Sequence, residues 1–279
     1  MADSSKAPAA SAHFLGGKPV GRPLPDWKPL AVPTIPKSGI KGRTVTLEPL
    51  DVDKHADSLW DACCLDPATQ NKDPNGGHGM WTYVPAGPFD SRADFDKDIA
   101  KKAASDAYQF AAAVIVSEGV RKAVGYASLM RIFPERGTCE IGWVVFSPLL
   151  QRTTASTETI FLLMRHAFSM GYRRVEWKCD ALNAPSKRAA LRFGFSFEGV
   201  FRQHLVYKGR NRDTAWLSIL DSEWQVAHKA FVGWLAPSNF DGDGNQLRNL
   251  KSFFDAARTN DATQTTAAGN KDAEQVQPR

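Results

Sequence analysis

The chain has 279 residues, of which 43% are hydrophobic and 23% are charged. This composition is typical of a globular protein and excludes fibrous, collagen-like and wholly disordered chains. The sequence contains no run of about 18 apolar residues and begins without the apolar core of a signal peptide, so we expect a cytoplasmic protein that does not enter the membrane.

The charge is mildly basic, with 35 lysines and arginines against 30 acidic residues and a formal net charge of +5. No block of like charges is long enough for a nucleic-acid-binding arm, so nucleic acid is not expected as a partner. A basic balance favours a small polyanionic ligand. The four cysteines show no Cys-x-x-Cys spacing, which predicts reduced thiols.

Composition divides the chain into three parts. Residues 1–41 are rich in proline, which prevents a helix or a central strand, and they predict an extended arm over the domain surface. Residues 42–236 form the predicted folded domain. Residues 237–279 are a C-terminal extension predicted to be largely flexible, with a short helix near 247–257.

Metal binding is not expected. The six histidines show no metal-ligand spacing. Residues 241–245 resemble the start of a calcium loop, but Ser252 stands at the twelfth position, where such a loop needs a glutamate.

The first half of the domain predicts one strand, two helices and three further strands. A strand over 43–50 leads into a helix capped by Asp51, and a long loop over 66–90 ends at a helix capped by Ser91. Three alternating runs joined by short turns then predict an antiparallel meander over 108–116, 122–132 and 137–146.

The second half predicts a helix, a strand, a helix, two strands and a closing helix, over 157–170, 174–179, 184–193, 197–207, 214–220 and 222–235. A helical crossover returns the chain in the same direction, so the strands on either side of the 157–170 helix must be parallel. The predicted fold class is therefore an α/β mixed sheet, an antiparallel meander plus a parallel pair, with helices on both faces.

Two strand ends lead into helix N-termini, and both are candidate ligand sites. The first runs through a loop into the helix at 157, with Arg152 as a cation and several hydroxyl groups. A helix N-terminus carries unpaired N–H groups and partial positive charge, so it can hold a phosphate. Glu158 argues against phosphate binding here, because we expect its negative carboxylate to neutralise the positive end of the helix dipole. The second candidate site is the helix N-terminus at Asn183, although a helix-capping role alone would explain an asparagine at this position.

An ordered set of segments resembles the GNAT N-acyltransferase superfamily, in the branch of the ribosomal-protein N-terminal alanine acetyltransferases. The set consists of 140–146, the loop 151–156, Asn183-x-x-Ser186, the Phe193-Gly-Phe195 triplet, Glu198-Gly199 and the closing segment 213–224. The resemblance covers about residues 40–236. It implies the GNAT-like acyl-CoA N-acyltransferase fold and CoA-dependent acyl transfer.

The resemblance also implies a cofactor site. The loop 151–156 matches the family's pyrophosphate loop, except that Thr154 and Ser156 replace its two glycines, whose lack of a Cβ lets the backbone approach a phosphate. Asn183 matches the asparagine that binds the pantetheine arm, and Ser186 matches a general acid for the leaving thiolate. The residues assigned to acetyl-CoA are Val144, Val145, Phe146, Gln151, Arg152, Thr153, Thr154, Ala155, Ser156, Asn183 and Ser186.

Acyl transfer to an amine requires a proton acceptor with a pKa near 7. Glu140 is the first choice, and strand alternation predicts that Glu140, Gly142 and Val144 share one face. The alternative for Glu140 is a structural ion pair with a residue such as Arg131. Backbone N–H groups near 144–146 would polarise the thioester carbonyl.

The acceptor pocket is assigned to Trp81, Tyr83, Arg131 and Arg202, although Trp81 and Tyr83 would equally serve to anchor their loop on the core. The predicted function is transfer of an acetyl group from acetyl-CoA to a primary amine, either a small molecule or a protein N-terminus, by a monomer or homodimer without metal. The alternative is a catalytically weak acyl-CoA-binding or interaction module.

Overall fold

The computed structural model describes residues 13–65 and 79–261. The strands are β1 (His13–Leu15), β2 (Lys18–Val20), β3 (Ile40–Lys41), β4 (Thr46–Pro49), β5 (Gln109–Ser117), β6 (Val120–Phe133), β7 (Thr138–Phe146), β8 (Arg174–Asp180), β9 (Ser196–Tyr207) and β10 (Arg210–Leu220). The α-helices are α1 (Val52–Trp60), α2 (Arg92–Ala103), α3 (Thr154–Ser169), α4 (Ala184–Arg192), α5 (Asp221–Leu235) and α6 (250–261).

Eight strands form one sheet in the order β3-β4-β5-β6-β7-β8-β10-β9. Neighbouring strands are antiparallel except β7 and β8, which are parallel and start in register with Thr138 opposite Arg174. The predicted α/β mixed sheet, with a meander and one parallel pair, is therefore confirmed. The parallel pair follows from the α3 crossover, which returns the chain to the same edge of the sheet.

Local sequence signals fix the ends of these elements. The turn between β5 and β6 places Glu118 and Gly119 at φ 53° and 76°, the geometry of a two-residue hairpin loop. The Asp51 side chain accepts from Lys54 N at the start of α1, and Ser91 accepts from Asp94 N at the start of α2. Both predicted helix caps are confirmed.

The central strands are covered by helices on both faces of the sheet. β5 buries consecutive residues from Phe110 to Val114, and since side chains alternate along a strand, both of its faces are covered. The helices form two groups, in which α1 packs with α2 and α3 packs with α5.

The arm before β3 lies on the domain through Trp27 and Leu30. The Trp27 Nε1–H donates to the Glu135 carbonyl at 2.9 Å, and its ring fills the space beside Gly137. Leu30 lies beside Gly171. The arm also contains the β1–β2 hairpin, which the sequence analysis missed because Pro19 disfavours a central strand but is tolerated in a two-stranded ribbon.

The described part of the C-terminal extension is packed, and its helix α6 lies close to the short helix predicted near 247–257. Leu250, Phe254 and Ala257 of α6 are buried, and the Phe254 ring lies against Gly194 at the end of α4. An apolar stripe spaced three or four residues apart explains this packing. The division at residue 236 stays a prediction about the domain limits, and residues 1–12, 66–78 and 262–279 lie outside the described residues.

Two kinds of feature are absent from residues 13–65 and 79–261. None of the helices there combines the length and apolarity needed to cross a bilayer. Nor do three or more His, Cys, Asp or Glu side chains in those ranges come together as metal ligands.

Candidate active site

A cleft of about 1510 Å³ opens where β7 and β8 diverge. Their last paired residues are Ile141 and Trp177, although the strands continue to Phe146 and Asp180. Beyond that pair, β7 still pairs with β6 along one edge, while its other edge no longer has a strand partner and faces the cleft. The N-termini of α3 and α4 lie at the same edge of the sheet and line the cleft.

A β-bulge in β7 shapes the cleft wall. Trp143 has φ 50°, and the pairing with β6 shifts by one residue between Gly142 and Val145. The alternation predicted for Glu140, Gly142 and Val144 is therefore wrong beyond Gly142, because the extra residue of a bulge reverses which side chains share a face.

The loop into α3 is held by its own side chains. Gln151 Nε2 donates to the Phe146 carbonyl at 2.7 Å, and Thr153 Oγ1 accepts from Ser156 N at 3.2 Å as the helix cap. Arg152 is exposed and adopts the left-handed conformation with φ 62°. In this loop the backbone conformation favours glycine at residue 152. Thr154 and Ser156, which replace the two family glycines, have helical backbone conformations that do not require glycine.

The expectation that Glu158 would neutralise this helix end is wrong. Glu158 is buried and lies outside the first turn of α3, and its carboxylate accepts hydrogen bonds from Arg43 N, Thr44 N and Thr44 Oγ1, each at 2.6 Å. Its charge is therefore committed to the turn between β3 and β4. The first N–H groups of α3 keep their capacity for an anion.

Arginines surround this end of the cleft. Arg152 lies before α3, and Arg188 and Arg192 lie one turn apart on α4. Arg192 NH1 donates to Thr157 Oγ1 at 2.9 Å, which fixes its side chain against α3. The sequence analysis missed both α4 arginines, although their i, i+4 spacing places them on one helix face.

Glu140 lies in the cleft wall, only 4% exposed. Its Oε2 lies 2.8 Å from Lys178 Nζ and 3.5 Å from Arg131 NH1, and Lys178 also contacts Glu176 Oε2 at 2.7 Å. Burial raises the pKa of Glu140 above its ordinary value, and this effect exceeds the opposing attraction of Lys178 and Arg131. The ion pair considered for Glu140 thus exists, with Lys178 as the nearer partner.

The start of α4 brings Asn183 and Ser186 to the cleft. Asn183 Oδ1 accepts from Ser186 N at 3.1 Å, which is the capping role weighed for it. Ser186 Oγ accepts from Trp177 Nε1 at 3.0 Å, and its hydroxyl also lies within hydrogen-bonding reach of the Cys179 thiol. Burial is the main cause of the raised pKa of the neighbouring Cys179, which keeps that thiol protonated.

Comparison with known proteins identifies the family. Residues 44–196 match the Acetyltransferase (GNAT) domain. The chain belongs to the GNAT acetyltransferase family. A GCN5-related N-acetyltransferase from Brucella melitensis is 44% identical, covers 83% of this chain and 100% of its own, and superposes with a TM-score of 0.76.

Further GNAT structures extend this likeness. A probable GNAT acetyltransferase from Chromobacterium violaceum is 37% identical over 75% of this chain and 98% of its own, with a TM-score of 0.64. RimL, a ribosomal L7/L12 alpha-N-protein acetyltransferase, shares the fold at 19% identity, covering 65% of this chain and 93% of its own with a TM-score of 0.52. No curated protein matches the sequence significantly. The resemblance to GNAT proteins is confirmed, and the protein is an acyltransferase.

Most residues assigned to the GNAT cofactor line the cleft: Val144, Val145, Phe146, Gln151, Arg152, Thr153, Thr154, Ser156, Asn183 and Ser186. Ala155 does not, because its side chain is buried behind the helix end.

The acceptor residues divide differently. Tyr83 and Arg131 line the cleft. Trp81 is 2% exposed and packs edge-on against Phe89, so it anchors its loop on the core instead. Arg202 lies outside the cleft, in a shallow depression on the outer strand β9.

Proposed function

We propose that this acyltransferase moves an acetyl group from acetyl-CoA to a primary amine of a small molecule or a protein N-terminus. The observation that carries this proposal is the cleft between β7 and β8, which joins the N-terminus of α3 to a buried glutamate. We also propose a cytoplasmic location. The monomeric or homodimeric state stays a prediction.

The residues at the α3 end fit CoA. The open N–H groups of α3, together with Arg152, Arg188 and Arg192, supply donors and positive charge for a pyrophosphate. The Ser156 hydroxyl is already hydrogen-bonded within the loop, since Ser156 Oγ donates to the Thr153 carbonyl at 2.7 Å. Acetyl-CoA would supply the activated thioester, and Asn183 lies where its free amide N–H groups can meet the pantetheine arm.

Three groups of this chain would then serve the transfer. Glu140 accepts the proton of the attacking amine, directly or through water. Backbone N–H groups within residues 144–146, on the edge of β7 that no longer pairs with β8, polarise the thioester carbonyl. Ser186 donates its hydroxyl proton to the departing sulfur as the C–N bond replaces the C–S bond.

Calorimetry with acetyl-CoA and a thiol-release assay with a panel of amines test this function. We expect micromolar or tighter binding and amine-dependent thiol release. Binding without release would instead indicate the acyl-CoA-binding module, and no binding would contradict the proposal.

Arg152→Gly should raise the dissociation constant for CoA about three- to tenfold, because an exposed charge-assisted contact to phosphate is lost. The melting temperature should not fall, since glycine accepts the left-handed conformation of residue 152. Glu118→Gly is the matched control, because Glu118 has φ 53° in an exposed turn away from the cleft. Unchanged CoA affinity in Arg152→Gly at low salt would remove Arg152 from the site.

Asn183→Ala should both weaken CoA binding and destabilise the protein by about 1 kcal/mol, the usual cost of losing a helix cap. Asn183→Ser separates the two roles, because serine caps a helix but lacks the amide N–H groups. We expect the serine variant to keep its melting temperature while its dissociation constant for CoA rises about fivefold, as for one lost hydrogen bond. If both properties of the serine variant match wild type, Asn183 is only a cap.

A further inference from the structure

The cleft carries more positive charge than CoA requires. Among residues 13–65 and 79–261, six lysine and arginine side chains line it, against two carboxylates. Three of the six surround the α3 and α4 ends. The other three form a second group, the acceptor-side cations, which comes from β6, β8 and β10 and comprises Arg131, Lys178 and Arg212.

Arg212 is held in place by contacts that leave its charge unpaired. Its Nε donates to Thr214 Oγ1 at 3.1 Å, and its guanidinium lies 5.7 Å from the centre of the Tyr207 ring. Among the residues that the structure describes, no carboxylate forms an ion pair with Arg212. Two of its nitrogen atoms therefore remain as donors for an anion.

His204 adds a neutral donor beside Arg212. Thr214 Oγ1 already accepts from Arg212, so its single hydrogen is free for His204 Nδ1, 3.0 Å away, and we assign the histidine proton to Nε2. The pKa of His204 is lowered, first by burial and then by Arg131, Arg212 and Lys178. A histidine that stays neutral with an Nε2–H group can donate to an oxyanion.

The two carboxylates of the cleft already have partners. Glu140 is paired with Lys178 and, more weakly, with Arg131. Asp180 accepts from Leu182 N through one oxygen and from the Tyr207 hydroxyl through the other. Neither cancels the charge of Arg212. Lys178 also contacts Glu176, so among the described residues Arg212 is the unpaired cation of this half of the cleft, and a simple protonated amine would meet its repulsion.

We propose that the acceptor is an amine that also bears an oxyanion, a carboxylate or a phosphate, held by Arg212, Arg131 and His204. This inference rests on the proposed acyl transfer and names its substrate class. The anionic group would orient the acceptor so that its amine lies towards Glu140. It would also offset the repulsion that the amine alone would meet.

Matched pairs of acceptors test the inference: an amino acid against its primary amide, and an aminoalkyl phosphate against the corresponding amino alcohol. We expect kcat/KM to be at least about tenfold higher for the anionic member of at least one pair, as for one charge-assisted contact. The preferred pair tells carboxylate from phosphate.

Arg212→Gln should lower this anionic-to-neutral ratio about tenfold, with the loss mainly in KM. Arg210→Gln, on the same strand but exposed and outside the cleft, should leave the ratio unchanged. Calorimetric titration of the protein with the same acceptors gives a readout that is independent of turnover.

The outcomes separate the inference from the proposed function. Thiol release with equal or better use of the neutral acceptors would overturn the inference while the acyl transfer stands. Oxyanion-dependent binding that Arg212→Gln weakens, without thiol release from any amine, would support the anion site and contradict the acyl transfer.

Discussion

Glu140→Gln should lower kcat/KM at neutral pH by about 100-fold or more, the usual contribution of a general base. Glutamine has nearly the same shape but cannot accept a proton, so the attack of the amine loses its proton acceptor. The affinity for CoA should stay within about twofold of wild type, because the assigned phosphate contacts lie at the α3 end. Steady-state kinetics and calorimetry measure the two effects separately.

The raised pKa of Glu140 determines the direction in which kcat/KM should change with pH. Burial raises the folded-state pKa of Glu140 above 4.5, and only the ionised carboxylate can accept a proton. The wild-type kcat/KM should therefore fall as the pH drops through that raised pKa, so the acid limb lies above pH 4.5. In Glu140→Gln the part of the acid limb that Glu140 contributes should be absent, which leaves only the fall caused by protonation of the amine itself.

Glu176→Gln is the matched control. Glu176 also contacts Lys178, at 2.7 Å against 2.8 Å for Glu140, but Glu176 does not line the cleft. Its substitution disturbs the same lysine without removing the proposed base. If the two variants lose activity equally, Glu140 acts only as a structural partner of Lys178.

The sequence of elements along the chain, the antiparallel meander and the parallel pair could be predicted because the signals for them are local. Alternating runs, two-residue turns and capping side chains are contained in short windows of sequence. The parallel pair followed from one helical crossover. The candidate cofactor end of the cleft could be proposed from the sequence for the same reason. Thr153 and Asn183 are helix caps, and each lies within one continuous segment of sequence.

The acceptor end was harder to predict because it depends on register and backbone strain. Arg174, Glu176 and Lys178 alternate along β8, but only the pairing of Glu140 with Glu176 shows that Lys178 lies beside the proposed base. Trp143 and Gln203 have φ 50° and 51°, a conformation that sequence patterns do not predict for such residues. These irregular positions shift the register of the side chains that follow, and His204 was missed as a result.

Glu158→Ala should destabilise the fold by about 2–4 kcal/mol, because two backbone N–H groups lose a charged acceptor in a partly buried site. Those groups belong to Arg43 and Thr44, and the carboxylate ties the turn between β3 and β4 to α3. The space beside Gly42 is filled by the same carboxylate, at 2.6 Å from where a Cβ would stand. Alanine therefore leaves a gap as well as unpaired donors. Chemical denaturation measures the loss.

Thr44→Val calibrates this effect, because it removes only the hydroxyl bond to Glu158 and leaves both backbone bonds intact. We expect it to cost about 1 kcal/mol, the typical value of one hydrogen bond. Neither substitution should change the affinity for CoA by more than about twofold once the protein is folded, since the Glu158 carboxylate is committed to the turn. A marked gain in CoA affinity in Glu158→Ala would instead show that this charge opposes the phosphate at the α3 N-terminus, as the sequence alone suggested.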